Sequence, residues 1–178
     1  MKDNWNEFFE MLIHHEGGFS DDARDSGNKE DGHGNQGSTM LGVTAYNWAK
    51  WTGKPAPKEV MRKLTKEDVK PLYKKNYWDT CSCDDLPSGL DISIADLSVN
   101  AGKSRASKIL QRILGVSQDG AIGKQTLTAV ANFDPQELIE KYYDGREGFY
   151  KSLDDYKIYG RGWSRRNKET LEKALKLL

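Results

Sequence analysis

Few residues in this chain combine a chemically useful side chain with a position that would alter its chemistry, and Glu16 is the clearest. It follows Trp5, Phe8, Phe9, Leu12 and Ile13, which fall at i, i+3, i+4, i+7 and i+8 and predict one apolar helix face. Glu16 is eleven residues after Trp5, which at about 100° per residue is three turns plus ~20°. The spacing therefore sets a carboxylate beside the apolar stripe, in the last turn of the helix. Partial desolvation and the negative end of the helix dipole both disfavour its charged form. A carboxylic acid still protonated near neutral pH is what general acid catalysis needs. Gly17 and Gly18 end the helix and leave room beside it. The alternative on spacing alone is a helix-end glutamate turned to solvent.

Other motifs fail on context. Gly32, Gly34 and Gly37 spell G-x-G-x-x-G, but Asn28-Lys29-Glu30-Asp31 before them is not a buried strand. Gly102-Lys103-Ser104 lacks the first glycine of a phosphate-binding loop, because Leu97 stands there. His14-His15-Glu16 does not have H-E-x-x-H spacing, and adjacent helical histidines diverge by about 100°. Asp21, Asp22, Asp25, Glu30 and Asp31 do not follow the calcium-loop pattern. Cys81 and Cys83 are too close for a relaxed bridge and too few for a structural zinc site, so they read as reduced thiols at a loop. No metal or organic cofactor is expected.

The elements that must position Glu16 are mainly helical. After the first helix, residues 20–38 are rich in Asp, Gly, Asn and Ser and read as a long surface loop. A short hairpin is possible within residues 19–43. Thr44 can cap a short helix carrying Tyr46, Trp48 and Trp51, and Lys54-Pro55-Ala56-Pro57 breaks it. Thr65 and Asp68 make a capping box for a helix running to about Tyr77, with Pro71 set to kink it or delay its start. Further helices are expected over 91–101 and 104–114, then a short one carrying Leu127 and Val130. Asp134-Pro135-Gln136-Glu137 starts another that runs to about Leu153, and Ser164 starts the last.

The 178 residues suffice for one domain or two small lobes. At 37% hydrophobic and 30% charged, with five Trp, eight Tyr and five Phe, the composition is that of a soluble globular chain. Lys plus Arg and Asp plus Glu both number 27, so the net charge is zero, which argues against a dedicated nucleic-acid binder. No apolar run reaches the ~20 residues that span a bilayer, so no stable membrane insertion is expected. The charge is nonetheless graded. Residues 1–35 hold nine acids and three bases, and residues 156–178 hold seven bases and two acids. The basic end suits an anionic polymer, although ordinary solvated surface has the same look. Asp3, Glu7 and Glu10 interrupt any secretory signal, so synthesis in a cytoplasm is expected.

Glu16-Gly17-Gly18-Phe19, an Asp-rich loop, and Gly37-Ser38-Thr39-Met40-Leu41-Gly42-Val43-Thr44 together resemble the family-108 glycoside hydrolases. These are muramidases of phage endolysins and some bacterial secretion loci, with an E-G-G-Y/F motif and a T-x-x-G-I/V-T stretch. Tyr77-Trp78 followed by Asp85-Leu86-Pro87-Ser88-Gly89 is similar to the family's Y-W…D-x-L-P-x-G. Asp96 to Asn100 with Gly102 is similar to its D-x-x-V-N-x-G. Leu110-Gln111, Gly115 and Asp119 to Thr126 resemble its second half, often described as peptidoglycan-binding, and Gly162-Trp163 with Arg166 fit its end.

The resemblance implies a lysozyme-like fold with two helical lobes around a cleft. A catalytic lobe would take residues 1–89 and a peptidoglycan-binding-like lobe residues 90–178, packed as one unit. It implies a monomeric peptidoglycan hydrolase that cleaves the β-1,4 bond between N-acetylmuramic acid and N-acetylglucosamine. Glu16 would be the acid. The spacing is also similar to phage-type lysozymes, which carry an Asp nine residues after the Glu and then a Thr. That implies Asp25 as the ionised partner and Thr39 as a holder of water, with Asp21, Asp22 and Asp31 as competitors because the loop is long. Trp48, Trp51, Tyr77 and Trp78 are candidate sugar platforms, with core packing as the alternative. Asp96, Asn100 and Gln111 are polar contacts between helices or, for Asn100 and Gln111, substrate contacts. The resemblance further implies holin-type release from an infected cell. The rival readings are a lytic transglycosylase and a non-catalytic peptidoglycan-binding phage protein.

Overall fold

The structure is a computed structural model describing residues 4–22, 24 and 28–178. It is mainly helical, with nine α-helices and one two-stranded sheet among the described residues. The chain divides into two compact units, one formed by Met1–Phe8 with Lys75–Leu178 and the other by Phe9–Lys74. These divisions fall at Phe8 and Lys74, whereas the sequence suggested a boundary after residue 89.

The smaller unit holds most of helix α1 (Asn4–His15), strands β1 (Thr39–Met40) and β2 (Val43–Thr44), and helices α2 (Ala45–Thr52), α3 (Lys58–Met61) and α4 (Lys66–Tyr73). Its core includes Phe9, Leu12, Ile13, Val43, Ala49, Met61, Val69, Leu72 and Tyr73. Helix α2 starts where Thr44 Oγ1 accepts from the Asn47 amide at 3.2 Å, and it stops at Gly53 in the left-handed region. The capping box of Thr65 and Asp68 opens α4. Pro71 neither delays that helix nor breaks it at once. The α-helix ends two residues later at Tyr73, and a π turn follows over Lys74–Trp78.

The larger unit is built on α5 (Leu90–Ala101), whose residues 90–98 are buried all round. Around it pack α6 (Lys103–Leu114), α8 (Pro135–Lys151) and α9 (Tyr156–Leu175), and α7 (Lys124–Val130) leans on α6. A helix surrounded by others must satisfy its polar groups internally. Asp96 is fully buried and binds Arg146 at 2.7 Å and Arg166 at 2.8 Å. Asp91 accepts from Asn4 Nδ2 at 2.8 Å and from the amides of Gly89 and Ile92. At the start of α1, Trp5 meets Trp78 edge-on and Phe8 packs tilted against it, with ring centroids 5.6 and 5.5 Å away.

Helix α9 begins at Tyr156, eight residues before the expected start at Ser164. That expected start left Gly160 and Gly162 outside the helix. In the structure the Tyr156 ring lies directly over Gly160, where any Cβ would collide with it. Packing has overruled helix propensity there.

Candidate active site

Helix α1 ends at His15, and the Glu16 amide still donates to the Leu12 carbonyl at 3.0 Å. Glu16 is therefore carried on the last turn and is half-buried. Beyond it Gly17 and Gly18 are exposed, with open space where their side chains would be.

The carboxyl group of Glu16 rests against the tip of the β1–β2 hairpin. The tip is Leu41-Gly42, with φ of +50° and +74°. Left-handed geometry at both central residues is the pattern of a tight hairpin turn, and it strains the leucine. Tyr73 holds that residue, its hydroxyl donating to the Leu41 carbonyl at 2.9 Å. A Cβ on Gly42 would lie 2.8 Å from the Glu16 carboxyl carbon and 2.5 Å from the Tyr73 hydroxyl oxygen. Carboxylate and phenol thus occupy the space a side chain would fill, so only glycine fits this position.

Strand β1 carries Thr39. Its amide and carbonyl exchange hydrogen bonds with Ser20 at 2.8 and 2.9 Å, so the chain just after Glu16 becomes a third partner of the hairpin. The Thr39 hydroxyl donates to Asn28 Oδ1 at 2.7 Å, and Asn28 Nδ2 in turn donates to the Asp22 carbonyl at 3.0 Å and to Ser20 Oγ at 3.3 Å. With its proton committed, the Thr39 oxygen keeps acceptor capacity, which suits orienting a water.

Asp25 lies outside the described residues. The three competing aspartates have distinct partners. Asp21 pairs with Lys58 at 3.0 Å and faces Arg62 at 3.8 Å, and the hydrogen bond from Lys58 lowers its pKa. Asp22 is held in a two-pronged contact by Arg24, which lowers its pKa too. Asp31 is 2% exposed and accepts from the amides of Ala56, His33 and Asn35 and from Asn35 Nδ2. Burial alone would raise its pKa, but these donors outweigh burial and hold the carboxyl well below the ordinary carboxylate range. Asp31 pins the long loop to the segment before α3.

The aromatic and amide candidates separate by burial. Trp48 on α2 and Tyr77 in the π turn are partly exposed. Trp78 is 1% exposed and donates its indole N–H to Asp84 at 2.7 Å, so its ring faces are spent on the core. Gln111 is equally buried. Its Nε2 donates to Asp119 and the Ala121 carbonyl, and its Oε1 accepts from the Gly120 amide. It shapes that loop and presents nothing to solvent. Asn100 is exposed at the end of α5, its amide nitrogen turned back onto Asp96. Among the described residues no group of three His, Cys, Asp or Glu could hold a metal ion.

The sequence reading missed Gly42 and Tyr73 as parts of this site. The glycine in T-x-x-G-V-T was a usable signal for close approach. Nothing in the sequence ties Tyr73 to Glu16 across 57 positions.

Residues 9–102, more than half the chain, match the model described as glycosyl hydrolase 108. The chain belongs to glycosyl hydrolase family 108. Residues 105–168 match a second model, described as a predicted peptidoglycan domain. The chain is also similar to the solved structure of SagA from Brucella abortus, at 32% identity and a TM-score of 0.84, covering 99% of this chain and 97% of that one. No curated protein matches it. The family-108 chain is therefore a glycoside hydrolase directed at peptidoglycan, with a mainly helical, lysozyme-like fold and a short N-terminal hairpin. Its family match opens at Phe9, inside α1, and its Glu16 is within that match.

Proposed function

We propose that the protein is an N-acetylmuramidase in which Glu16 is the general acid. Glu16 delivers its proton to the glycosidic oxygen as the β-1,4 bond between N-acetylmuramic acid and N-acetylglucosamine breaks. A water adds to the sugar carbon and supplies the new hydroxyl, and its remaining proton leaves to a base. The observation that carries this reading is the seat of the Glu16 carboxyl, fixed at the carbonyl end of α1 by Gly42 and beside Tyr73, with open space over Gly17 and Gly18. The carbonyl end of a helix is unfavourable to an anion, which suits a proton donor. Asp25 is the ionised partner in this reading, and the Thr39 oxygen orients the water. Asp21 is the first substitute for Asp25, because ion pairing keeps it charged.

The test digests purified peptidoglycan with wild type and with Glu16→Gln, which keeps the size and removes the acid. New reducing-end muramic acid from wild type alone is the expected result. Equal release by the variant overturns the assignment. Anhydro-muramic products would instead make the enzyme a lytic transglycosylase. Inversion is the stereochemistry proposed, with water between two carboxyls ~6.5–9.5 Å apart. The anomer formed first, read by proton NMR, decides it. The endolysin role with holin-dependent release belongs to the same proposal: expression should lyse a host only when a holin is co-expressed. Among the described residues no helix is long and apolar enough to cross a membrane.

A further inference from the structure

In the larger unit, four aromatic rings form a ladder. Phe149 and Tyr150 have centroids 5.6 Å apart, Tyr150 and Trp163 5.6 Å, and Trp163 and Tyr159 5.8 Å. Tyr150 is the buried rung, its hydroxyl accepting from Arg146 at 3.2 Å. Phe149 and Trp163 are partly open and Tyr159 is exposed. Three of the rings, Phe149, Tyr150 and Trp163, line a cavity of about 170 Å³ together with Asn100, Ala101 and Leu153.

Three features narrow its occupant. Asn100 Nδ2 donates to the Asp96 carbonyl and carboxylate, which fixes the amide orientation and leaves Asn100 Oδ1 as the acceptor on the cavity wall. Arg105 lies over the Phe149 ring at 4.9 Å and puts a cation at the rim. The four lining residues from α8 onward fall inside the stretch that matches a peptidoglycan domain. Aromatic faces, one amide acceptor and a rim cation suit a ring with an apolar face, an N–H and a nearby acid. The volume has room for one ring rather than a strand.

We propose that this cavity binds one N-acetylated sugar ring of the glycan strand. The ring lies on Trp163 and its acetamido N–H donates to Asn100 Oδ1. Arg105 faces the acid groups carried by muramic acid and its stem peptide. This rests on the peptidoglycan reading above, and it names residues for a binding contact separate from the Glu16 chemistry.

The experiment titrates the ¹⁵N-labelled full chain with the disaccharide N-acetylglucosaminyl-N-acetylmuramic acid, and separately with the free stem pentapeptide. The disaccharide should move the Trp163 indole and Asn100 side-chain amide signals, and the peptide should leave them in place. Trp163→Ala should weaken disaccharide binding roughly tenfold, and Trp163→Phe, which keeps an aromatic face, should restore part of it. Signals that stay put at millimolar disaccharide, or that move with peptide alone, overturn the proposal. Wall digestion with the same wild-type protein separates the two readings. Sugar release without shifts at the cavity removes the cavity alone. Shifts without sugar release remove the muramidase and keep the cavity.

Discussion

Replacing Gly42 by alanine should damage activity far more than stability. The new Cβ would fall 2.8 Å from the Glu16 carboxyl carbon. Carbon–carbon contacts relax near ~3.5 Å, so the carboxyl must retreat by about 0.7 Å. A misplacement near ~1 Å can cost roughly 10²-fold in rate. The expected loss in kcat is therefore about 10- to 100-fold. The backbone has its own cost, because φ is +74° and a β-carbon there is unfavourable by ~1–2 kcal/mol. For a chain of this size that lowers Tm by about 2–8 °C. Gly53→Ala is the matched control. Its φ is +69° and nothing lies within 4 Å of its Cβ position, so it carries the strain without the collision. Reducing-end release from purified walls and thermal melts on both variants complete the test. Similar melting with activity lost only at Gly42 is the expected outcome. Equal activity in the two variants would refute the claim that the hairpin tip sets the carboxyl.

Other consequences can be measured in the same way. Tyr73→Phe keeps the ring against Phe9 and removes the hydroxyl that holds Leu41. One hydrogen bond of ~0.5–1.5 kcal/mol predicts a drop in kcat of up to about tenfold with KM little changed, and an unaltered kcat would dismiss Tyr73 as a positioning residue. Asp31→Ala strips the acceptor from the buried Ala56 amide at a cost of ~1–3 kcal/mol, and limited proteolysis should then cut the 20–38 loop faster than in wild type. Asp96→Asn leaves Arg146 buried without its anion and should destabilise by ~3–5 kcal/mol at pH 7 in urea titrations. Burial opposes the charge on Asp96, but Arg146 and Arg166 hold its pKa below the ordinary carboxylate value. Its stabilisation is thus complete above about pH 4 and is lost as pH falls through the lower folded value. The gap between variant and wild type should narrow at pH 2–3, and a constant gap would show that the triad does not titrate.

The parts of the fold written in local chemistry were legible. The stripe from Trp5 to Ile13, the Thr65–Asp68 box and the Asp134-Pro135 start each satisfy their own backbone or bury their own face, and all three stand as read. The start of α9 was not legible, because the glycine at 160 is explained only by the Tyr156 ring above it. Glu16 could be picked as a candidate from helical phase, with a helix-end glutamate turned to solvent as the alternative. Its neighbours could not. Gly42 and Tyr73 reach it through tertiary approach, and a lone tyrosine on an apolar helix face reads as core. Trp78 and Gln111 carried both a sugar-contact and a packing reading, and only the folded chain shows partners 6 and 10 positions away claiming their polar atoms.

Helix α1 also constrains the order in which a ribosome can finish this molecule. Its first two turns find their partners in Trp78, Asp91 and Lys173, through the ring contacts of Trp5 and Phe8, the Asn4 amide and a 2.7 Å pair with Glu7. Those partners are synthesised long after the helix itself, and the last emerges only as α9 is completed. Closing such loops offers no gain until the far segment exists. The first turns of α1 are thus fully anchored only after residue 173 has been made. A nascent chain stalled midway would hold Glu16 against Gly42 and Tyr73 yet leave the opposite end of the same helix without Lys173.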